Sequence, residues 1–112
     1  MTAKAAIEGL TRALAVDYGP RGIRVNAVAI GSITTERYAA FLGRQEPAEA
    51  RRIEEEMRLL HPVGRVGRPA EAAGAVAYLL SDDASFINGA TVPVDGGRSV
   101  LARDPESHDP GP

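Results

Sequence analysis

The 112-residue sequence predicts an α/β protein built on a parallel sheet, with two strands and about four helices. Three observations carry this. Apolar residues at Ala3, Ile7, Leu10 and Leu14 follow helical spacing. The run Ile23 to Ala29 is β-branched and alternating in its first half and apolar throughout its second, the pattern of a strand buried on both faces. A second short strand, Ala90 to Val94, follows only after a long helical middle, and such a crossover is what joins parallel neighbours.

Taken in order, the first helix covers residues 2–17, with Ala6 and Ala13 widening its apolar face and Glu8, Arg12 and Asp17 on the other. Gly9 costs about 1 kcal/mol relative to Ala in a helix interior and points to a close neighbour. Tyr18-Gly19-Pro20 ends the helix, because Gly supplies a left-handed position and Pro cannot continue the ladder. The strand over residues 23–29 leads into the loop Ile30-Gly31-Ser32-Ile33-Thr34-Thr35, at the strand's carboxyl end, the edge where open α/β sheets bind ligands.

Residues 36–60 form two helical pieces divided by Gly43 and Pro47, and their acidic run Glu54-Glu55-Glu56 reads as a solvated face. Residues 61–69 are a loop by glycine and proline content, and Pro69 opens a helix reaching Ser81, with Glu71 in its first turn. Asn88-Gly89 marks a turn, and Asp95-Gly96-Gly97 closes the last strand. Pro93 has no N–H for a ladder and puts that strand at a sheet edge. Residues 99–112, with three prolines and no apolar period, read as a disordered tail.

Composition narrows the function classes. There is no cysteine, hence no disulfide framework and no thiolate metal site, and two histidines without helical spacing do not make a zinc site. A net charge of −2 without a basic run argues against nucleic-acid binding. No apolar stretch reaches the roughly 18 residues of a membrane span, and the N-terminus lacks signal-peptide order, so a cytoplasmic location is expected. Lys4 is the only lysine.

The run Thr2 to Ala15 containing Lys4, followed by Gly22-Ile23-Arg24-Val25-Asn26-Ala27-Val28, resembles the second half of the short-chain dehydrogenase/reductases. Gly64-Arg65, Arg68-Pro69-Ala70-Glu71, Ile87-Asn88-Gly89 and Val94-Asp95-Gly96-Gly97 resemble that family's later landmarks, in order. The resemblance implies that residues 1–98 are the C-terminal part of a Rossmann-like, doubly wound parallel sheet. It also implies NAD or NADP as cofactor and hydride transfer between the nicotinamide and a small alcohol or carbonyl compound.

By that resemblance Lys4 holds the nicotinamide ribose and lowers the pKa of a Tyr four residues earlier, the general acid/base. That Tyr would precede Met1. The family's catalytic Ser and glycine-rich dinucleotide motif also come before Lys4 in family order and are absent from this chain. Gly31, Ile33 and Thr35 match the family's cofactor loop, where backbone groups of the Ile and the Thr two residues later contact the nicotinamide carboxamide or pyrophosphate; Ile30 stands where the family carries Pro. Asn26 reads as structural. The middle helices correspond to the family's variable substrate lid, and helix 2–17 to one used in subunit contacts. Two readings follow: part of an NAD(P)-dependent oxidoreductase, inactive alone, or a non-catalytic module that associates through helix 2–17 with its own copies or a full-length relative.

Overall fold

The computed structural model describes residues 2–102. Helix α1, Thr2–Tyr18, runs one residue past the predicted end and into a 3-10 turn at Gly19–Arg21. The left-handed residue that stops it is Gly22, at φ +78°, and not Gly19. Gly19 and Pro20 lie inside the turn, where Pro's fixed φ suits the first helical positions and its missing N–H is not needed.

Strand β1 is Ala27–Ile30 and pairs in parallel with β2, Thr91–Val94, with Val28 opposite Val92 and Ile30 opposite Val94. The strand expected over residues 23–29 is therefore shorter and shifted toward the loop. Residues 23–26 carry no strand, and their backbone groups bond turns instead of a ladder. Ile23 N–H donates to Tyr18 O, Val25 N–H to Asn88 Oδ1 at 2.9 Å, and Val25 O accepts from Gly89 N–H at 2.8 Å. At the ladder's ends Ala27 N–H donates to Ala90 O and Gly31 N–H to Val94 O. This phase points the even-numbered groups of β2 at β1, so the missing N–H of Pro93 falls on the outer edge and interrupts nothing.

Between the strands lie α2 (Glu36–Gly43), α3 (Pro47–Leu60) and α4 (Pro69–Leu80), with the divisions at Gly43, Pro47 and Pro69 that the sequence predicts. On α3 the pairs Arg52–Glu49 and Arg58–Glu55 are solvent-exposed and screened, and add little to stability. Ser99 and Val100 belong to a 3-10 turn at Arg98–Val100, and the rest of the expected tail, from residue 103, lies outside the described residues.

The buried hydrophobic set among the described residues is small: Ala15, Leu79 and Ala84. Polar bonding does much of the joining. The Arg24 guanidinium donates to Leu79 O at 2.8 Å, Ile87 O at 3.2 Å and Ser81 O at 3.2 Å, closing the carbonyl end of α4. Asn26 bonds both sides of the next turn, Nδ2 to Ile87 O and Oδ1 from Ala90 N–H. Asn88 Nδ2 reaches Ala15 O on α1 at 3.1 Å. Gly89 sits at φ +80°, and a Cβ there would lie 3.3 Å from the Ala15 Cβ.

Arg24→Met keeps the aliphatic stem but strands these carbonyls. It is expected to cost about 1–3 kcal/mol, read as a lower urea midpoint with unchanged slope.

Candidate cofactor and substrate site

The carboxyl ends of β1 and β2 meet the start of α1 at a groove of about 560 Å³, lined by Lys4, Ile30, Gly31, Ser32, Asp95 and Arg98. Two of the four sequence-predicted residues, Lys4 and Gly31, come together here. Gly31 is needed because a Cβ on it would lie 2.7 Å from Asp95 Cβ and 3.0 Å from Asp95 Cα. Only a residue without a side chain lets the two loops approach this closely. Lys4 is exposed and forms no ion pair among the described residues.

Ile33 and Thr35 lie farther along the same loop, outside the groove's lining. Ile33 forms an isolated parallel bridge with Gly67, in which Gly67 N–H donates to Ser32 O and Thr34 N–H to Gly67 O. Because the bridge uses the groups of the two flanking residues, Ile33's own N–H and C=O point the opposite way. Thr35 is the N-cap of α2, its Oγ1 accepting from Tyr38 N–H at 3.0 Å. A capping hydroxyl still has its O–H to donate. The loop therefore offers an outward backbone donor and acceptor at Ile33 and a hydroxyl donor at Thr35, groups that suit a carboxamide and a phosphate oxygen.

Two groove residues escaped the sequence reading as site groups. Asp95 holds its own turn, Oδ1 accepting from Gly97 N–H and Oδ2 from Ser99 N–H. Hydrogen bonds from Ser99, and from the backbone of Gly97 and Ser99, keep its carboxyl below the usual aspartate range. Arg98 follows that turn and donates from Nη1 to Ser32 Oγ at 2.8 Å. The Asp-Gly-Gly after a strand is the signal for the turn; nothing in sequence places Arg98 opposite Ser32, 66 residues away.

A second cleft, of about 640 Å³, lies between α2, α3 and the loop before α4, with Tyr38, Leu42, Met57 and Val66 as its apolar lining. Partial burial, and then the Glu54 carboxylate, push the Tyr38 phenol above its ordinary value. The loop forming one wall is fixed by Glu71, which takes a two-pronged pair from Arg65 at 2.7 and 2.9 Å and a bond from Arg68 N–H at 2.9 Å.

Comparison with known proteins agrees with this fold. The family profile described as Enoyl-(Acyl carrier protein) reductase matches residues 1–99. The chain belongs to the short-chain dehydrogenase/reductase family. Levodione reductase from Leifsonia aquatica is 45% identical over 98 residues, covering 88% of this chain and 37% of that protein. Among solved structures, the ligand-free aldohexose dehydrogenase of Thermoplasma acidophilum superposes with a TM-score of 0.78 at 42% identity, over 96% of this chain and 42% of that one. 4-Hydroxyisoleucine dehydrogenase complexed with NADH superposes with a TM-score of 0.77 at 28% identity, over 90% and 39%. The chain thus spans little more than a third of the length of its short-chain dehydrogenase/reductase relatives. No helix among the described residues is long and apolar enough to cross a membrane.

In this short-chain dehydrogenase/reductase segment the Glu71 clamp carries a pH signature. The bonds from Arg65, then Arg68 N–H, lower the Glu71 pKa from 4.5 to about 2. A carboxylate stabilised in the folded state contributes stability above its unfolded pKa and loses it on protonation. Its contribution is expected to be complete above pH 4.5 and to vanish as pH falls toward about 2; carboxyl-resolved NMR titration reads this directly, and Glu71→Gln removes the step.

Proposed function

We propose that the groove at Lys4 and the loop from Gly31 to Thr35 form the nicotinamide side of an NAD(P)-dependent oxidoreductase site acting on small alcohols or carbonyl compounds, residues 1–98 being the C-terminal part of the Rossmann-like domain. The observation that carries this is the placing of Lys4, without an ion pair among the described residues, in one groove with Gly31, and the Ile33 backbone pair turned outward farther along the loop. When bound, the nicotinamide supplies or accepts the hydride. Ile33 N–H and C=O hold the carboxamide, Thr35 O–H donates to a carboxamide or phosphate oxygen, and Lys4 donates to the ribose hydroxyls. The Lys4 cation also favours phenolate over phenol in a Tyr one helical turn before it, bringing that acid/base nearer working pH. NAD and NADP both fit these contacts, and a cytoplasmic enzyme accords with a chain free of cysteine.

The test joins the preceding part of a family member, ending in its Tyr, in frame to this chain. Lys4→Ala is expected to lower kcat by about 10²-fold or more and to move the alkaline limb of the pH profile upward. Thr35→Ala mainly raises KM for the cofactor, and Thr35→Ser restores it. An unchanged rate and pH profile in Lys4→Ala refutes the assignment. The 112-residue chain alone is expected to show no turnover of NADH or NADPH with ketones and aldehydes.

A second reading has its own support. Ile7 and Leu10 on α1 are 58% and 57% exposed, a paired apolar face on the outside of the molecule. This favours association through helix 2–17, either with further copies or with a full-length relative. Sedimentation velocity is expected to show a concentration-dependent weight that falls toward the monomer on Ile7→Glu with Leu10→Glu.

A further inference from the structure

The groove carries more positive charge than a nicotinamide ribose requires. Lys4 and Arg98 both line it, and the one carboxylate there, Asp95, has both oxygens committed to its own turn. Arg98 is exposed but held in place: its backbone N–H donates to Asp95 O at 3.1 Å, and Nη1 to Ser32 Oγ at 2.8 Å. Beyond that bond the guanidinium makes no ion pair and no other side-chain hydrogen bond among the described residues. A planar fork of donors, tethered at one nitrogen with the others unused, matches the two oxygens of a carboxylate. At about 560 Å³ the groove suits a small molecule, so a ligand reacting near Lys4 lies within reach of Arg98.

We propose that Arg98 is a specificity-determining residue that binds a carboxylate on the substrate, selecting small hydroxy or oxo acids over neutral alcohols and ketones. This rests on the reading of the Lys4 groove as the reaction site. Ser32 acts as the positioning residue, since its hydroxyl accepts the bond that orients the guanidinium. A cofactor phosphate is the competing anion, but the loop groups suited to the cofactor, Ile33 and Thr35, lie outside the lining that Arg98 shares with Lys4.

The test titrates the ¹⁵N-labelled 112-residue chain with cyclohexanecarboxylate, cyclohexanol and NADH. The carboxylate is expected to move the Ser32, Arg98 and Ser99 amides saturably, and cyclohexanol at equal concentration to leave them in place. Arg98→Gln is expected to weaken the carboxylate about 10- to 100-fold, with the amide spectrum away from the groove unchanged. Arg98→Lys keeps the charge without the fork and falls between, and Ser32→Ala loses severalfold. Equal binding of carboxylate and alcohol, or an unchanged affinity in Arg98→Gln, overturns the proposal. An equal loss of NADH affinity in Arg98→Gln also overturns it, because Arg98 then serves a cofactor phosphate. A chain that binds the carboxylate through Arg98, while Lys4→Ala in the joined protein leaves rate and pH profile unchanged, supports the anion site and counts against the nicotinamide reading.

Discussion

The fold depends on a polar knot between the entry to β1 and the turn before β2. Arg24, Val25 and Asn26 meet Ile87, Asn88, Gly89 and Ala90 through backbone and side-chain bonds together. Parallel strands are paired only across long stretches of chain, so something must hold the register against the entropy of the intervening loop. Here Asn26 and Asn88 do so: each amide bonds backbone groups from distant segments, and a one-residue slip would break all of these contacts at once. Arg24 adds the end of α4 to the same knot.

The knot sits at the amino ends of the strands, and the groove at their carboxyl ends. Once Ala27 is set opposite Thr91, Gly31 must arrive beside Asp95, and the glycine's missing side chain makes that approach possible. Asp95 then stiffens the following turn and delivers Arg98 to Ser32. The charge at the site is therefore a consequence of register: a cation from the last turn and a cation from the first helix line one groove because two short strands are aligned.

Little apolar surface supports this arrangement from inside. Val16 and Leu80 are 75% and 78% exposed, and Phe86 is wholly so. Among the described residues His61 is the largest side chain that is fully buried, its Nδ1 against Met57 O, in a core whose other buried residues are small or polar apart from Leu79. Hydrophobic burial grows with size, and a chain of this length that leaves such residues outside leans heavily on hydrogen bonds to hold one structure.

The local elements were legible in the sequence because their causes are local. Pro47 and Pro69 open helices through their own fixed φ, apolar spacing marks α1, and the ordered landmarks from Lys4 to Gly97 identified the family. Gly31, Ile33 and Thr35 were legible as a loop for the same reason. Tertiary structure alone decided where β1 begins, because Ile23 to Asn26 have strand chemistry but spend their backbone groups on Tyr18, Asn88 and Gly89. It also decided that Ile33 turns its backbone outward, since that follows from Gly67 occupying the other side. Arg98 ends the stretch that resembles the family and carries no local signal of a site role; its place in the groove that Lys4 also lines comes with a hydrogen bond spanning 66 residues, which no local pattern encodes.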